Sequence, residues 1–194
     1  MSLSGSVGNV ETGTVQTGTL HTGSLTPIVK KKNPLRFTFV RKNLPILSSG
    51  DDTSMFRFVS KNVSLSDTQY EATDLVRITH PSINEAGRSS KLRSEAARSL
   101  WKMATEFEKK FQTPFVVISG YRSAAYQQRM WDLGRCNSTL CAPPGYSEHQ
   151  LGLAIDVFDA STEMEYYKNP KYRAYVQWLQ EHAHLYGWTQ SYQK

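Results

Sequence analysis

From Lys91 to Phe111 the apolar positions Leu92, Ala96, Leu100, Met103, Phe107 and Phe111 recur every three or four residues. That spacing lines one face of an α-helix, with Ser89 or Ser90 as the expected N-cap. The run PFVVIS (Pro114 to Ser119) is short, continuous and β-branched, which predicts a buried strand. A turn, GYRS, follows it, and a second helix is expected from about Ser123 to Gly134. In LGLAIDVF the side chains alternate, with Leu151, Leu153, Ile155 and Val157 on one face and Gly152, Ala154 and Asp156 on the other. A last helix is predicted from Pro170, a favoured first-turn residue, through Tyr172, Tyr175, Val176, Leu179 and Ala183 to a stop at Gly187. Nearer the N-terminus, LRFTFV and MFRFVS flank the turn-forming SSGDD and predict two strands, arranged as a hairpin. Helices and strands mix without a βαβ rhythm, so the expected class is α+β: a small, mainly antiparallel sheet with helices packed around it.

The first residues read differently. ETGTV, QTGTL and HTGSL repeat with a period of five between Glu11 and Leu25. So small a unit, built of Thr, Gly and Ser, cannot stack into a core and suits a flexible linker. Residues 1–34 are therefore expected to be a low-complexity tail, and residues 35–194 a single domain. No apolar run approaches the ~20 residues of a membrane span. The start MSLSGSVGNV has neither the basic nor the apolar part of an export signal, leaving a cytoplasmic protein or one whose export segment is gone. The net charge of +6 is scattered apart from Lys30, Lys31 and Lys32, so a solvated surface is expected and no nucleic-acid partner. Cys136 and Cys141, five apart among turn formers, permit a small disulfide loop, free thiols or, less readily, metal binding.

Chemistry concentrates in GYSEHQLGLAID (Gly145 to Asp156). An imidazole and a carboxylate, His149 and Asp156, form a donor pair that suits Zn²⁺. A straight strand would hold residues seven apart at roughly 23 Å, so both reach one ion only if the chain reverses between them. Gly152 can adopt the dihedrals such a reversal needs. Asp156, flanked by Ile155 and Val157, must be coordinated or paired, because an isolated buried carboxylate is costly. A plain buried ion pair, with His149 ending a loop, accounts for the same spacing. Arg122, in the turn after an apolar strand, is placed to offer a guanidinium fork to a carboxylate or oxyanion. Gln127 and Gln128 lie one turn further on, where an amide can join the same cleft.

The pattern SxHxxGxAxD, met by Ser147, His149, Gly152, Ala154 and Asp156, resembles the signature of zinc D-alanyl-D-alanine carboxypeptidases of the VanY-like type. The segments FVSKNVSLSDTQYEATDLVRI, LRSEAARSLWKM, VVISGYRSAAYQQRMW, PGYSEHQLGLAIDV and WLQEHAHLYGW follow in that family's order, from about Met55 to Trp188. The resemblance implies one metal-centred cleft with His149 and Asp156 as zinc ligands. Arg122 would bind and polarise the substrate, Gln127 would help hold the peptide and Ser147 would contact its terminal residue. It further implies a monomer of the bacterial envelope, acting outside the cytoplasm to trim a C-terminal D-alanine from peptidoglycan stem peptides, D,D or L,D. A wall endopeptidase and a non-catalytic wall-binding module are the alternatives.

The family completes its site with a later Glu-x-x-His after the YGW-like segment, whereas the sequence runs six residues beyond Trp188. The domain is thus expected to be C-terminally incomplete, without its third ligand and general base. EHAH (Glu181 to His184) meets Glu-x-x-His literally, but its place on the last helix argues for packing.

Overall fold

The structure is a computed structural model of the chain and describes residues 35–39, 50–135, 142–158, 160 and 163–191. The expected tail and the Cys136–Cys141 loop lie outside the described residues. Five strands form the main sheet: β1 (Leu35–Phe39), β3 (Ile83–Asn84), β5 (Phe115–Ser119), β6 (Ala154–Val157) and β7 (Trp188–Gln190). They stand in the order β3-β5-β6-β1-β7, antiparallel except for the β3–β5 pair. A two-stranded antiparallel ribbon joins β2 (Leu75–Arg77) to β4 (Lys91–Arg93). Helices α1 (Ser94–Phe111), α2 (Ala124–Asp132), α3 (Glu163–Lys168) and α4 (Pro170–His182) complete the α+β architecture, and a single 3-10 turn spans Ala183–Tyr186.

The α1 stripe behaves as its spacing predicts. Ala96, Leu100, Met103 and Phe107 are fully buried. Phe107 packs edge-on to Phe115 of β5 and to Tyr175 and Trp178 of α4, so the helix docks between sheet and α4 through one aromatic cluster. The start of α1 differs from the expected one. Lys91–Arg93 is spent on pairing with β2, Arg93 is the N-cap residue without a side-chain cap bond, and Asp74 takes over the capping. Its backbone carbonyl accepts from Ser94 N at 3.0 Å and its carboxylate from Arg93 Nε at 2.8 Å. The Ser123 cap of α2 and the Asn169 cap of α4, with Pro170 in the first turn, follow local rules. Gly187 closes the 3-10 turn at φ 79°.

The expected hairpin does not form. LRFTF is a strand, but it pairs with β6 and β7, and MFRFVS contributes none. Its residues turn around a buried ion pair instead, Arg57 Nε to Asp52 Oδ1 at 2.7 Å, with Asp52 also accepting from Ser66 N and Asp67 N. Arg57 bonds the carbonyls of Phe58 and Ser64 as well, so its fork closes the loop on itself and competes with strand pairing. β1 buries Leu35, Phe37 and Phe39 and places Arg36 and Thr38 on the opposite face, directly across from Asp156 and Ala154 of β6.

Candidate active site

Residues 145–152 are a succession of turns that the sequence reading took in part for strand. Ser147 Oγ accepts from His149 N at 3.3 Å, Ser147 O from Gln150 N at 3.0 Å, and His149 O from Gly152 N at 3.2 Å. Gly152 has φ +68°, and its carbonyl accepts from Arg93 N at 3.0 Å. A Cβ there would lie 2.8 Å from Leu75 Cδ2 and 3.1 Å from Arg93 Cγ, so both the dihedral and the space require glycine. Only beyond this reversal does β6 begin, with all four of its residues buried. Buried Gln150 fastens the turns to the preceding loop: its Oε1 accepts from Gly145 N at 2.8 Å, and its Nε2 donates to the carbonyls of Thr68 at 2.8 Å and Tyr70 at 3.2 Å.

The reversal brings the predicted pair together. His149 Nε2 and Asp156 Oδ1 are 3.3 Å apart, and both residues are buried. His149 Nδ1 lies 2.7 Å from the Gly120 carbonyl, which can only accept, so Nδ1 carries the proton. Nε2 therefore presents a lone pair and makes no hydrogen bond. Burial and the neighbouring Arg122 push the imidazole pKa down to about 4, keeping it neutral at physiological pH. Burial alone would raise the Asp156 pKa, but the cationic groups opposite it, Arg36 and Arg122 among them, outweigh burial and hold the carboxylate ionised. A neutral imidazole lone pair thus faces a carboxylate oxygen in a buried site.

Such a pair suits a cation. Ligand atoms about 2.0–2.2 Å from a tetrahedral Zn²⁺ stand roughly 3.3–3.5 Å from each other, and metal-bound imidazoles commonly donate their second nitrogen to a backbone carbonyl. His149 and Asp156 meet both conditions. Among the described residues no group of three His, Cys, Asp or Glu gathers around a common point. Of the Glu-x-x-His at 181–184, Glu181 is exposed on α4 and accepts from Gln177 Nε2 at 3.0 Å, and His184 is exposed on the 3-10 turn that follows.

Arg122 arrives from the turn after β5. Gly120 lets that turn approach β4, since a Cβ would fall 2.6 Å from Lys91 O, and Tyr121 N donates to the same carbonyl. Arg122 N donates to His149 O at 3.1 Å, tying the two segments together. Its guanidinium stands 3.9 Å from Asp156 Oδ2, and its buried Nε has no partner. Burial lowers its pKa to about 10, so it remains a cation with donors to spare. Buried Gln127 donates to Ala142 O at 2.7 Å and steadies the segment leading into the turns, whereas Gln128 is exposed and bonds Asp132. Ser147 is buried beside His149.

Two charged groups escaped the sequence reading. Arg36 donates from Nε to Asp156 Oδ1 at 3.0 Å, across 120 residues of sequence. Its signal was the alternation in LRFTF, which gives Arg36 the face opposite Leu35 and Phe37. Glu148, next to His149, has a buried Oε2 without a partner; burial raises its pKa, and the hydroxyls of Thr38 and Ser191 oppose that shift. Thr38 and Ser191 bond one another, so β1 and the end of β7 close over this carboxylate.

Residues 89–194, just over half of the chain, match the VanY family, described as D-alanyl-D-alanine carboxypeptidase. A putative carboxypeptidase of Bacillus subtilis, YodJ, is 33% identical over 132 residues, covering 64% of this chain and 48% of YodJ. A D-alanyl-D-alanine carboxypeptidase of Enterococcus faecium is 31% identical over 98 residues, 50% of this chain and 30% of the relative. The chain thus spans half or less of the length of these curated relatives. The solved LD-carboxypeptidase LdcB, described for its peptidoglycan recognition, superposes with a TM-score of 0.55 at 28% identity, covering 70% of this chain and 66% of LdcB. With this match carried across α1, β5, α2, the reversal at Gly152 and β6, the chain belongs to the VanY family of D-alanyl-D-alanine carboxypeptidases.

Proposed function

We propose that this chain is a zinc-dependent carboxypeptidase that removes a C-terminal D-alanine from peptidoglycan stem peptides, acting as a monomer in the bacterial envelope. The observation that carries the reading is the 3.3 Å approach of the unprotonated His149 Nε2 to Asp156 Oδ1 inside a buried pocket of charge. These two residues would hold the ion. Bound there, zinc supplies Lewis acidity toward a carbonyl oxygen and a water of lowered pKa.

The protein's own groups do the rest. The Gly120 carbonyl fixes the His149 tautomer and ring orientation, so the lone pair needs no reorganisation on loading. Arg122, with an unpartnered Nε and a lasting positive charge, binds the peptide carboxylate or the oxygen that gains charge as the amide is attacked. Ser147, buried beside His149, contacts the terminal residue, and Gln127 holds the Ala142 segment against which the peptide lies. No helix among the described residues is long and apolar enough to cross a membrane.

Incubation with a defined stem pentapeptide ending in D-Ala-D-Ala, and with the tetrapeptide ending in D-Ala, tests the reading by mass spectrometry with zinc or chelator present. Zinc-dependent release of free D-alanine from either peptide is expected, and the preferred peptide assigns D,D or L,D specificity. Cleavage inside the stem would make the chain an endopeptidase. Binding without cleavage would make it a wall-binding module.

A further inference from the structure

We infer that Arg36 is a built-in counter-cation that competes with a divalent ion for the coordinating oxygen of Asp156 and gives way when the ion binds. The inference rests on the zinc reading of His149 and Asp156 and adds a chain element to it, the first strand.

Three atoms converge on one point. Arg36 Nε donates to Asp156 Oδ1 at 3.0 Å, and the same oxygen faces His149 Nε2 at 3.3 Å. The contact follows from strand register, since Arg36 and Asp156 are direct partners across the β1–β6 ladder. β1 is held on both sides, by β6 and by β7, so the Arg36 backbone is fixed and only the side chain can yield. That side chain keeps 16% exposure and has solvent to move toward. Without an ion, the guanidinium neutralises a carboxylate that would otherwise be buried beside a neutral imidazole. A dication at Asp156 would instead stand beside Arg36 and Arg122 together, a repulsion that movement of Arg36 reduces. Glu148 offers the displaced guanidinium an acceptor, because its buried Oε2 lacks a hydrogen bond.

The test is a zinc titration of the chelator-stripped chain against a chromophoric competitor. The wild type is compared with Arg36→Gln, Arg36→Lys and His149→Ala. Arg36→Gln removes the ion pair that zinc must break, and at 3.0 Å even water-like screening makes that attraction worth about tenfold in affinity, so zinc should bind about tenfold tighter. Arg36→Lys, which keeps the charge, should stay near the wild-type value. Equal affinity in wild type and Arg36→Gln overturns the counter-cation role while loss of binding in His149→Ala leaves the zinc site standing. Wild-type affinity in His149→Ala overturns the site itself. Equal tightening in Gln and Lys variants also overturns the inference, because charge would not be the cause. A measurement on unaltered protein guards against misfolding of the variants. The Arg36 Nε–H proton, followed by NMR, should lose its protection from exchange as zinc is added, and unchanged protection at saturation refutes the displacement.

Discussion

Replacing Gly152 with alanine should separate the local cost of the reversal from its effect on the His149–Asp156 pair. At φ +68° a residue with a Cβ gives up about 1–2 kcal/mol. The added methyl would also meet Leu75 Cδ2 at 2.8 Å, Arg93 Cγ at 3.1 Å and the Arg93 backbone nitrogen at 3.3 Å. The first two are side-chain atoms that can move, but the third belongs to a backbone amide bonded to Gly152 O, so crowding adds about 1–2 kcal/mol. The expected total is about 2–4 kcal/mol, read as a drop in urea midpoint with an unchanged slope. Leu75→Ala in the same background should recover little, because it touches neither the dihedral cost nor the crowding at the Arg93 amide. Zinc affinity should fall in parallel, since a shifted reversal moves His149 relative to Asp156. A loss below about 1 kcal/mol would refute the claim that dihedral and space both demand glycine. Full stability loss with unchanged zinc affinity would refute the link between the reversal and the site.

In metal-free protein the buried His149, lowered from 6.5 to about 4, binds fewer protons folded than unfolded. Its contribution is therefore complete above pH 6.5 and is lost as pH falls toward 4, on the order of 3 kcal/mol, and His149→Gln should flatten that limb of a urea-midpoint profile. The depressed Asp156 pKa adds a further loss only below its ordinary value of 3.8, so a profile falling mainly between pH 7 and 9 would contradict both assignments. Gln150→Ala would leave Gly145 N–H buried without its 2.8 Å acceptor, a cost of about 1–3 kcal/mol measurable by thermal melting. A neutral result there would show that the turns need no fastening to the Thr68 loop.

What could be read from sequence was whatever short range decides. The α1 stripe, the Ser123 cap, the Pro170 start and the Gly187 stop each depend on neighbours within a turn or two, and each stands where the spacing puts it. Placing His149 against Asp156 was within reach because seven residues and one glycine limit what the chain can do. Arg36 was not, because nothing local says that LRFTF adds to a strand 120 residues away rather than to MFRFVS nearby. Both read as β-prone, yet in the structure Arg57 of the second segment bonds Asp52 and two carbonyls and the segment makes turns. The start of α1 slipped for the same reason, since Asp74 caps it from across the ribbon.

The position of β1, inserted between the strand that carries Asp156 and the last strand of the sheet, sets an order of assembly. Leu35–Phe39 leaves the ribosome before any of its sheet partners, which are made more than a hundred residues later. During synthesis it waits unpaired, an apolar ribbon open to chaperones or to a neighbouring nascent chain. Closure of the Asp156 region then becomes one of the final folding events, slowed by the entropy of joining such distant segments.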